Sequence, residues 1–304
     1  MRRIQQIPPL ARLDRAAHKG DRGRVLLVAG SLGMSGAARL AAWGALRGGA
    51  GLVTVACPDA VQLIVAADLP CALTLPLASR KGILSPFAAT EARAAAENAD
   101  AVAVGPGLTP EVLAFLRRFL KAFRRPLVLD ADALNALAAD PSLLDGVEAP
   151  RILTPHPGEA ARLLGRAVPE DPEGRAEVAA LLAEQFHCTA VLKGPGTVVC
   201  DGESVYVNAS GNPGMATGGT GDVLTGLIAA RFAAGADPFK AAVQAVALHG
   251  RAGDLAAAAV GQNAMMATDL ISALPNAVLE ALAPAVARPP KTTASRRPRR
   301  RRGR

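Results

Sequence analysis

Short, wholly apolar segments recur along this chain, each followed by a stretch of helical spacing. That alternation constrains the fold more than any other feature. RVLLVAG at 24–30, LVTVA at 52–56, AVAV at 101–104, LVL at 127–129, RIL at 151–153 and TAVL at 189–192 read as strands. They carry no polar face, so both sides of each must be covered. Helical patterns fall near 36–47, 86–97, 111–123, 133–139, 158–164, 175–186, 221–234, 238–258 and 268–283. Strands alternating with helices predict an α/β fold: a three-layer α/β/α sandwich around a mostly parallel central sheet. Asp201-Gly202, between VVC and SVYV, marks a hairpin turn.

No repeat or linker interrupts 20–285, which predicts one domain over 18–287, an N-terminal extension over 1–17 and a tail over 288–304. Half of the 304 residues are hydrophobic and 20% are charged, enough to bury a large core and exclude general disorder. The net charge of +8 is misleading. Nine cations and no anion lie between Arg288 and Arg304, which leaves residues 1–287 one unit negative. A basic surface over the whole protein is therefore excluded. The Pro- and Arg-rich tail is expected to be disordered and to offer at most weak, nonspecific contact to nucleic acid. The four cysteines form no CxxC pair, the first residues carry no apolar leader, and no uncharged apolar run reaches about 18 residues. Reduced thiols, a cytoplasmic location and no membrane span are the expectations.

Common signatures are missing. There is no GK dipeptide for a Walker A loop, no GxGxxG after the first strand and no GxSxG, and the four histidines lack zinc-ligand spacing. The densest signal is NPGMATGGTGDVLTG at 212–226. Its glycines let the backbone approach a ligand and turn N–H groups toward it, and the helix that follows adds partial positive charge at its start. Together they form an anion hole suited to a phosphoryl group in transfer. Asp222, in the first helical turn, is placed to take a proton from an attacking hydroxyl. As a bare turn, the same residues would leave Asp222 as a partner of the helix dipole.

GGTGD ahead of a helix resembles the ribokinase-like superfamily. The ordered set HKGDRGRVLLVAGSLGMSGAARLAA (18–42), GAGLVTVA (49–56), VGPGL (104–108), LDADALNAL (129–137), LTPHPGEAARLL (153–164), LKGPGTVV (192–199) and GNPGMATGGTGDVLTG (211–226) resembles the NAD(P)H-hydrate dehydratase family over about 18–285. That resemblance implies a ribokinase-like fold and a carbon–oxygen lyase that repairs nicotinamide cofactors hydrated at the 6 position of the ring. The family phosphorylates the 6-hydroxyl with ADP (bacterial members) or ATP (eukaryotic members), together with Mg²⁺. The phosphate then leaves and NADH or NADPH returns.

The resemblance also implies roles. Asp222 is the general base and touches substrate. Gly218, Gly219 and Gly221 supply the anion hole. Lys193, Gly194, Pro195, Gly196 and Thr197, with Gly221, bind the adenine nucleotide. Ala37, Gly107 and His156 contact the hydrated cofactor, and Asn135 lies near the phosphates. It further implies a homotetramer. Many members carry an epimerase domain fused in front; only about 20 residues precede the first strand here, so the epimerase that interconverts the hydrates is expected on a separate chain. Several positions keep plainer readings. KGPGT also has a plainer reading as a tight turn between strands, Glu159 reads as a helix cap or a group that orders a metal, and Asp130 and Asp132 read equally as helix caps. Thr109-Pro110 after Gly107-Leu108 departs from the family pattern. A small-molecule kinase of the same superfamily, acting on a hydroxymethylpyrimidine or thiazole alcohol, is the alternative. PHPGE and GNPGMATGG fit the dehydratase better.

Overall fold

The computed structural model describes residues 1–282, so the Arg-rich segment lies outside the described residues. The strands are β1 (Arg2–Ile4), β2 (Arg24–Val28), β3 (Leu52–Pro58), β4 (Leu73–Leu77), β5 (Ser79–Arg80), β6 (Ile83–Leu84), β7 (Ala101–Val104), β8 (Leu127–Leu129), β9 (Arg151–Leu153), β10 (Thr189–Leu192), β11 (Val198–Cys200) and β12 (Ser204–Val207). The helices are α1 (Ser35–Arg47), α2 (Asp59–Ala67), α3 (Ala89–Ala96), α4 (Leu113–Phe119), α5 (Asp132–Ala139), α6 (Pro157–Leu164), α7 (Pro172–Gln185), α8 (Thr220–Ala233), α9 (Pro238–Val260) and α10 (Ala267–Leu282).

Ten strands form one sheet in the order β1-β12-β11-β10-β9-β8-β7-β2-β3-β4. From β4 to β10 every pairing is parallel. The turn at 193–197 sets β11 antiparallel to β10, and the hairpin through Asp201-Gly202 sets β12 antiparallel to β11. Period-two alternation then sorts the core. Val25 and Leu27 face a layer containing α1, α8, α9 and α10, whereas Leu26 and Val28 face α3, α4, α5 and α7. The three-layer sandwich is therefore present as expected.

Three differences have physical reasons. Arg2–Ile4 pairs in parallel with β12, so the sheet begins well before Arg24 and the first residues add a strand to it. A three-residue segment carries too little pattern to read. β4 and α2 were not anticipated. β4 is an edge strand containing Pro76, and α2 leaves Leu63 and Ile64 exposed, so neither shows a clean apolar period.

One packing contact places the site. α1 and α8 cross where both lack a side chain. A Cβ on Gly44 would stand 2.3 Å from the Val223 carbonyl oxygen, and one on Gly226 would stand 1.9 Å from that of Ala41. Only glycine at these positions lets the backbones approach so closely. The start of α8 is thereby held beside the carboxyl ends of the strands.

Candidate active site

The parallel strands deliver their outgoing loops to one edge of the sheet, where ligands of open α/β sheets gather. α8 begins there at Gly219, whose φ of +94° belongs to the left-handed region. A Cβ at Gly219 would also come within 2.3 Å of Leu40 Cδ1. The first-turn N–H groups of any helix lack partners within it, so this start presents an anion cradle.

The surrounding loop is tied down. The Thr220 hydroxyl donates to the Met215 carbonyl at 2.9 Å, and Asn212 accepts from the Gly214 N–H at 3.0 Å. Asp254 on α9 accepts from the Gly211 N–H at 3.1 Å and from Asn212 Nδ2 at 3.2 Å. His249 Nε2 meets the Thr220 carbonyl at 2.9 Å; burial pushes its pKa down to about 4, so the ring is neutral and Nε2–H is the donor.

Asp222 sits half-buried in the first turn of α8. Burial raises its pKa to about 7; the nearby charges of Asp130 and Asp132 push the same way, and the Lys193 ammonium pulls against them. A carboxylate poised near neutrality is matched to general-base work.

The residues from Lys193 to Thr197 do form the turn between β10 and β11, and its members divide. Gly194, Pro195 and Gly196 are exposed. Lys193 turns inward, with Nζ 2.6 Å from Asp130 Oδ1 and 3.7 Å from Glu159 Oε2. A Cβ on Gly221 would lie 3.7 Å from that Nζ. Burial opposes the ammonium charge, yet Asp130, Glu159 and Asp222 outweigh it and hold the lysine above its ordinary range. Arg175, itself buried, braces the turn by donating Nη2 to the Leu192 and Lys193 carbonyls at 3.3 and 3.0 Å.

Asp130 is not a helix cap. Ala131, with φ +49°, holds the cap position of α5 and makes no side-chain bond. Asp130 is 1% exposed, and its carboxylate accepts from Thr154 Oγ1 at 2.8 Å, Thr225 Oγ1 at 2.6 Å and Lys193 Nζ at 2.6 Å. Asp132 likewise turns from capping: its Oδ2 accepts from the Thr109 N–H at 2.9 Å and so fixes the loop after β7.

His156 caps α6. Its Nδ1 accepts from the Gly158 and Glu159 N–H groups at 3.0 and 3.3 Å, and Glu159 Oε2 accepts in return from the His156 N–H at 2.8 Å. This reciprocal box makes Glu159 a cap of α6, one of its two readings. The His156 side chain is 50% exposed, with Nδ1 spent on the cap and Nε2 3.4 Å from Glu159 Oε1. On the α1 side, a Cβ built on Gly107 would lie 3.0 Å from Ala37 Cβ, so these two residues adjoin. Ala37 is also one turn before Leu40, which packs under Gly219. Asn135 Oδ1 accepts from Arg162 Nε at 3.1 Å and Nδ2 reaches Asp132 at 3.4 Å.

The structure thus gathers Asp222, Gly219, Gly221 and Lys193, sets Ala37 and Gly107 beside them through α1, and puts His156 one strand over. Sequence reasoning missed Thr154, Thr225 and His249. The signal for Thr225 was its place three residues after Asp222, on the same helix face. A recess of about 500 Å³ lined by Arg151, His187, Cys188 and Asp201 lies at the opposite, amino end of the strands. It takes no part in this constellation. Among the described residues no group of three His, Cys, Asp or Glu could hold a metal ion. An all-protein Mg²⁺ cage therefore does not fit; Mg²⁺ of this kind travels on nucleotide phosphates and keeps its waters.

A three-layer α/β sandwich with an anion cradle, a near-neutral carboxylate and a fixed ammonium at its carboxyl edge defines a class built to handle phosphoryl groups. Known proteins sharpen that class. A family model described as NAD(P)H-hydrate dehydratase matches residues 25–276. The chain is 47% identical over 271 residues to a bifunctional NAD(P)H-hydrate repair enzyme of Moorella thermoacetica, covering 88% of this chain and 51% of that protein. It is 34% identical to an ADP/ATP-dependent NAD(P)H-hydrate dehydratase of Bacillus subtilis co-crystallised with ATP and Mg²⁺, with a TM-score of 0.74 over 90% of this chain and 95% of that one. A ribokinase-like superfamily protein of Enterococcus faecalis gives a TM-score of 0.74 at 26% identity, over 93% of this chain and 97% of that one. The fold is ribokinase-like, and the chain belongs to the NAD(P)H-hydrate dehydratase family. It spans about half the length of the curated relatives it matches.

Proposed function

We propose that the protein dehydrates the S epimer of hydrated NADH and NADPH in an ADP-dependent reaction. The observation that carries this reading is Asp222, a carboxylate with a pKa near 7 set directly after the Gly218–Gly221 cradle. Asp222 takes the proton of the ring 6-hydroxyl as its oxygen attacks the β-phosphorus of ADP, and AMP leaves. Main-chain N–H groups at Gly218, Gly219 and Gly221 stabilise the negative charge on the group in transfer. The C6–O bond then breaks with help from the ring nitrogen lone pair. Phosphate departs, a proton is lost from the neighbouring ring carbon, and the double bond returns. The sum is hydrate plus ADP giving NAD(P)H, AMP and phosphate. Phosphorylation serves the chemistry because hydroxide leaves poorly and phosphate leaves well.

Lys193, Gly194, Pro195, Gly196 and Thr197 face the nucleotide in this reading, with Gly221 between it and the substrate. Ala37, Gly107 and the half-exposed ring of His156 receive the hydrated cofactor in this reading. The reading takes ADP as donor because bacterial members of the family use it; Mg²⁺ enters with the nucleotide. A homotetramer rests on the family resemblance, and a cytoplasmic location on the four free cysteines. Incubating the protein with the hydrate, ADP and Mg²⁺ should restore the absorbance of the reduced cofactor, with one phosphate released per turnover. No recovery with ADP or with ATP would overturn the proposal, and a stable phosphorylated alcohol would assign a kinase instead.

A further inference from the structure

We propose that Asp130 is a positioning residue of this site: it pins the Lys193 ammonium beside Asp222, so that the base works against a cation held at a set place. The inference rests on the reading of Asp222 as the base and adds a residue to it.

The geometry is specific. Asp130 is 1% exposed at the carboxyl end of β8, and its acceptor positions are filled from three elements. Thr154 after β9 bonds Oδ1, Thr225 on α8 bonds Oδ2, and Lys193 after β10 bonds Oδ1 at 2.6 Å. Thr225 belongs to the same helix as Asp222, one turn on, so the carboxylate that holds the lysine is also fastened to the helix that carries the base. A buried carboxylate with this many donors has one orientation available and little freedom to leave it. Lys193 is constrained at both ends, because Arg175 holds its carbonyl at 3.0 Å.

The charges explain why the lysine must be held. Asp222 faces Asp130 after β8, Asp132 on α5 and Lys193 after β10. Around the ammonium lie Asp130, Asp222, Glu159 on α6 and His249 on α9, which is neutral. An ammonium free to move would collapse onto Asp222 and suppress its basicity, or swing out and leave three carboxylates uncompensated. Shared by Asp130 and Glu159, it tempers Asp222 without capturing it.

The test compares ligand-free titration with turnover. Asp222 is titrated by carboxyl carbon NMR in the wild type, Asp130→Asn and Lys193→Met, and kcat and KM for ADP are measured across pH. Removing the Asp130 charge lowers the Asp222 titration and moves the acidic limb of kcat to lower pH. Removing the Lys193 charge moves both to higher pH. kcat of Asp130→Asn falls about ten-fold or more, while KM for ADP changes less than about three-fold. Because Asp130 acts through Lys193, the double variant is no slower than Lys193→Met alone.

A general loss of stability with the limb unmoved, or multiplicative losses in the double variant, overturns the proposal. Should Asp130→Asn not fold, Thr154→Val with Thr225→Val strips the two hydroxyls and leaves every charge in place. The Lys193 Nζ signal then loses its immobilised character and kcat falls with KM for ADP unchanged; an unaltered signal and rate overturn the assignment. Failure of the wild type to restore cofactor would remove the proposed function, whereas the Asp222 titration in ligand-free protein tests the Asp130–Lys193 arrangement separately.

Discussion

The two ends of the central sheet use the same charged residues in opposite ways. At the amino ends of the strands, Arg124 meets Glu148 at 3.3 Å with side chains 74% and 70% exposed, and Arg125 meets Glu97 at 3.3 Å, also in solvent. At the carboxyl ends, Lys193 meets Asp130 at 2.6 Å with side chains 17% and 2% exposed, inside a ring of two further carboxylates. Exposed pairs contribute about 0–1 kcal/mol and mainly keep the surface wet. A buried cluster is costly to assemble and about 3–5 kcal/mol is lost when one partner is removed, so among the described residues it is the carboxyl edge that carries the mark of a functional site.

The largest expected break in this contrast is at Asp222. Asp222→Ala should leave the fold and nucleotide binding intact and lower kcat by roughly 10²–10⁴-fold in the absorbance assay. Wild-type kcat should rise with pH through about 7, because the base must be ionised to act.

Stability should move the other way. The folded carboxyl ionises at about 7 and the unfolded one near the ordinary 3.8, so the wild type loses stability as pH rises between those values. Asp222→Asn removes that penalty. In urea unfolding it should gain on the wild type across that window, by something on the order of a few kcal/mol at pH 8 and nothing at pH 3.

Gly219→Ala comes next. The left-handed backbone and the approach to Leu40 should cost about 1–3 kcal/mol in unfolding experiments and reduce kcat, because the N–H cradle shifts with the helix start. At the amino edge, Arg124→Ala should change stability by less than about 0.5 kcal/mol and leave kcat untouched. A large effect there would dissolve the comparison.

The same asymmetry governs how much the sequence disclosed. Buried parallel strands are apolar on both faces, so β2, β3, β7, β8, β9 and β10 were visible as runs. The glycine-dense start of α8 was visible because few other structures need that composition. β4 and β1 were hidden, since an edge strand can tolerate Pro76 and a three-residue strand has no period. Asp222 was legible from its place after the glycines. Asp130 was not, because an acid after a strand and before a helix has the signature of a cap, and its real partners come from residues 154, 193 and 225. Lys193 was assigned as part of a five-residue segment; only coordinates separate its inward amine from the exposed glycines that follow. Local signals carry backbone requirements, whereas the charge cluster is a long-range product of strand order.

The pairing of Arg2–Ile4 with β12 has a practical corollary. Trimming the first few residues to obtain a tidier protein would strip the protective rim from β12 and uncover a ladder of unsatisfied amides and carbonyls. Such an edge recruits neighbouring molecules strand by strand. Shortened preparations should precipitate on storage while their freshly made catalytic rate stays normal.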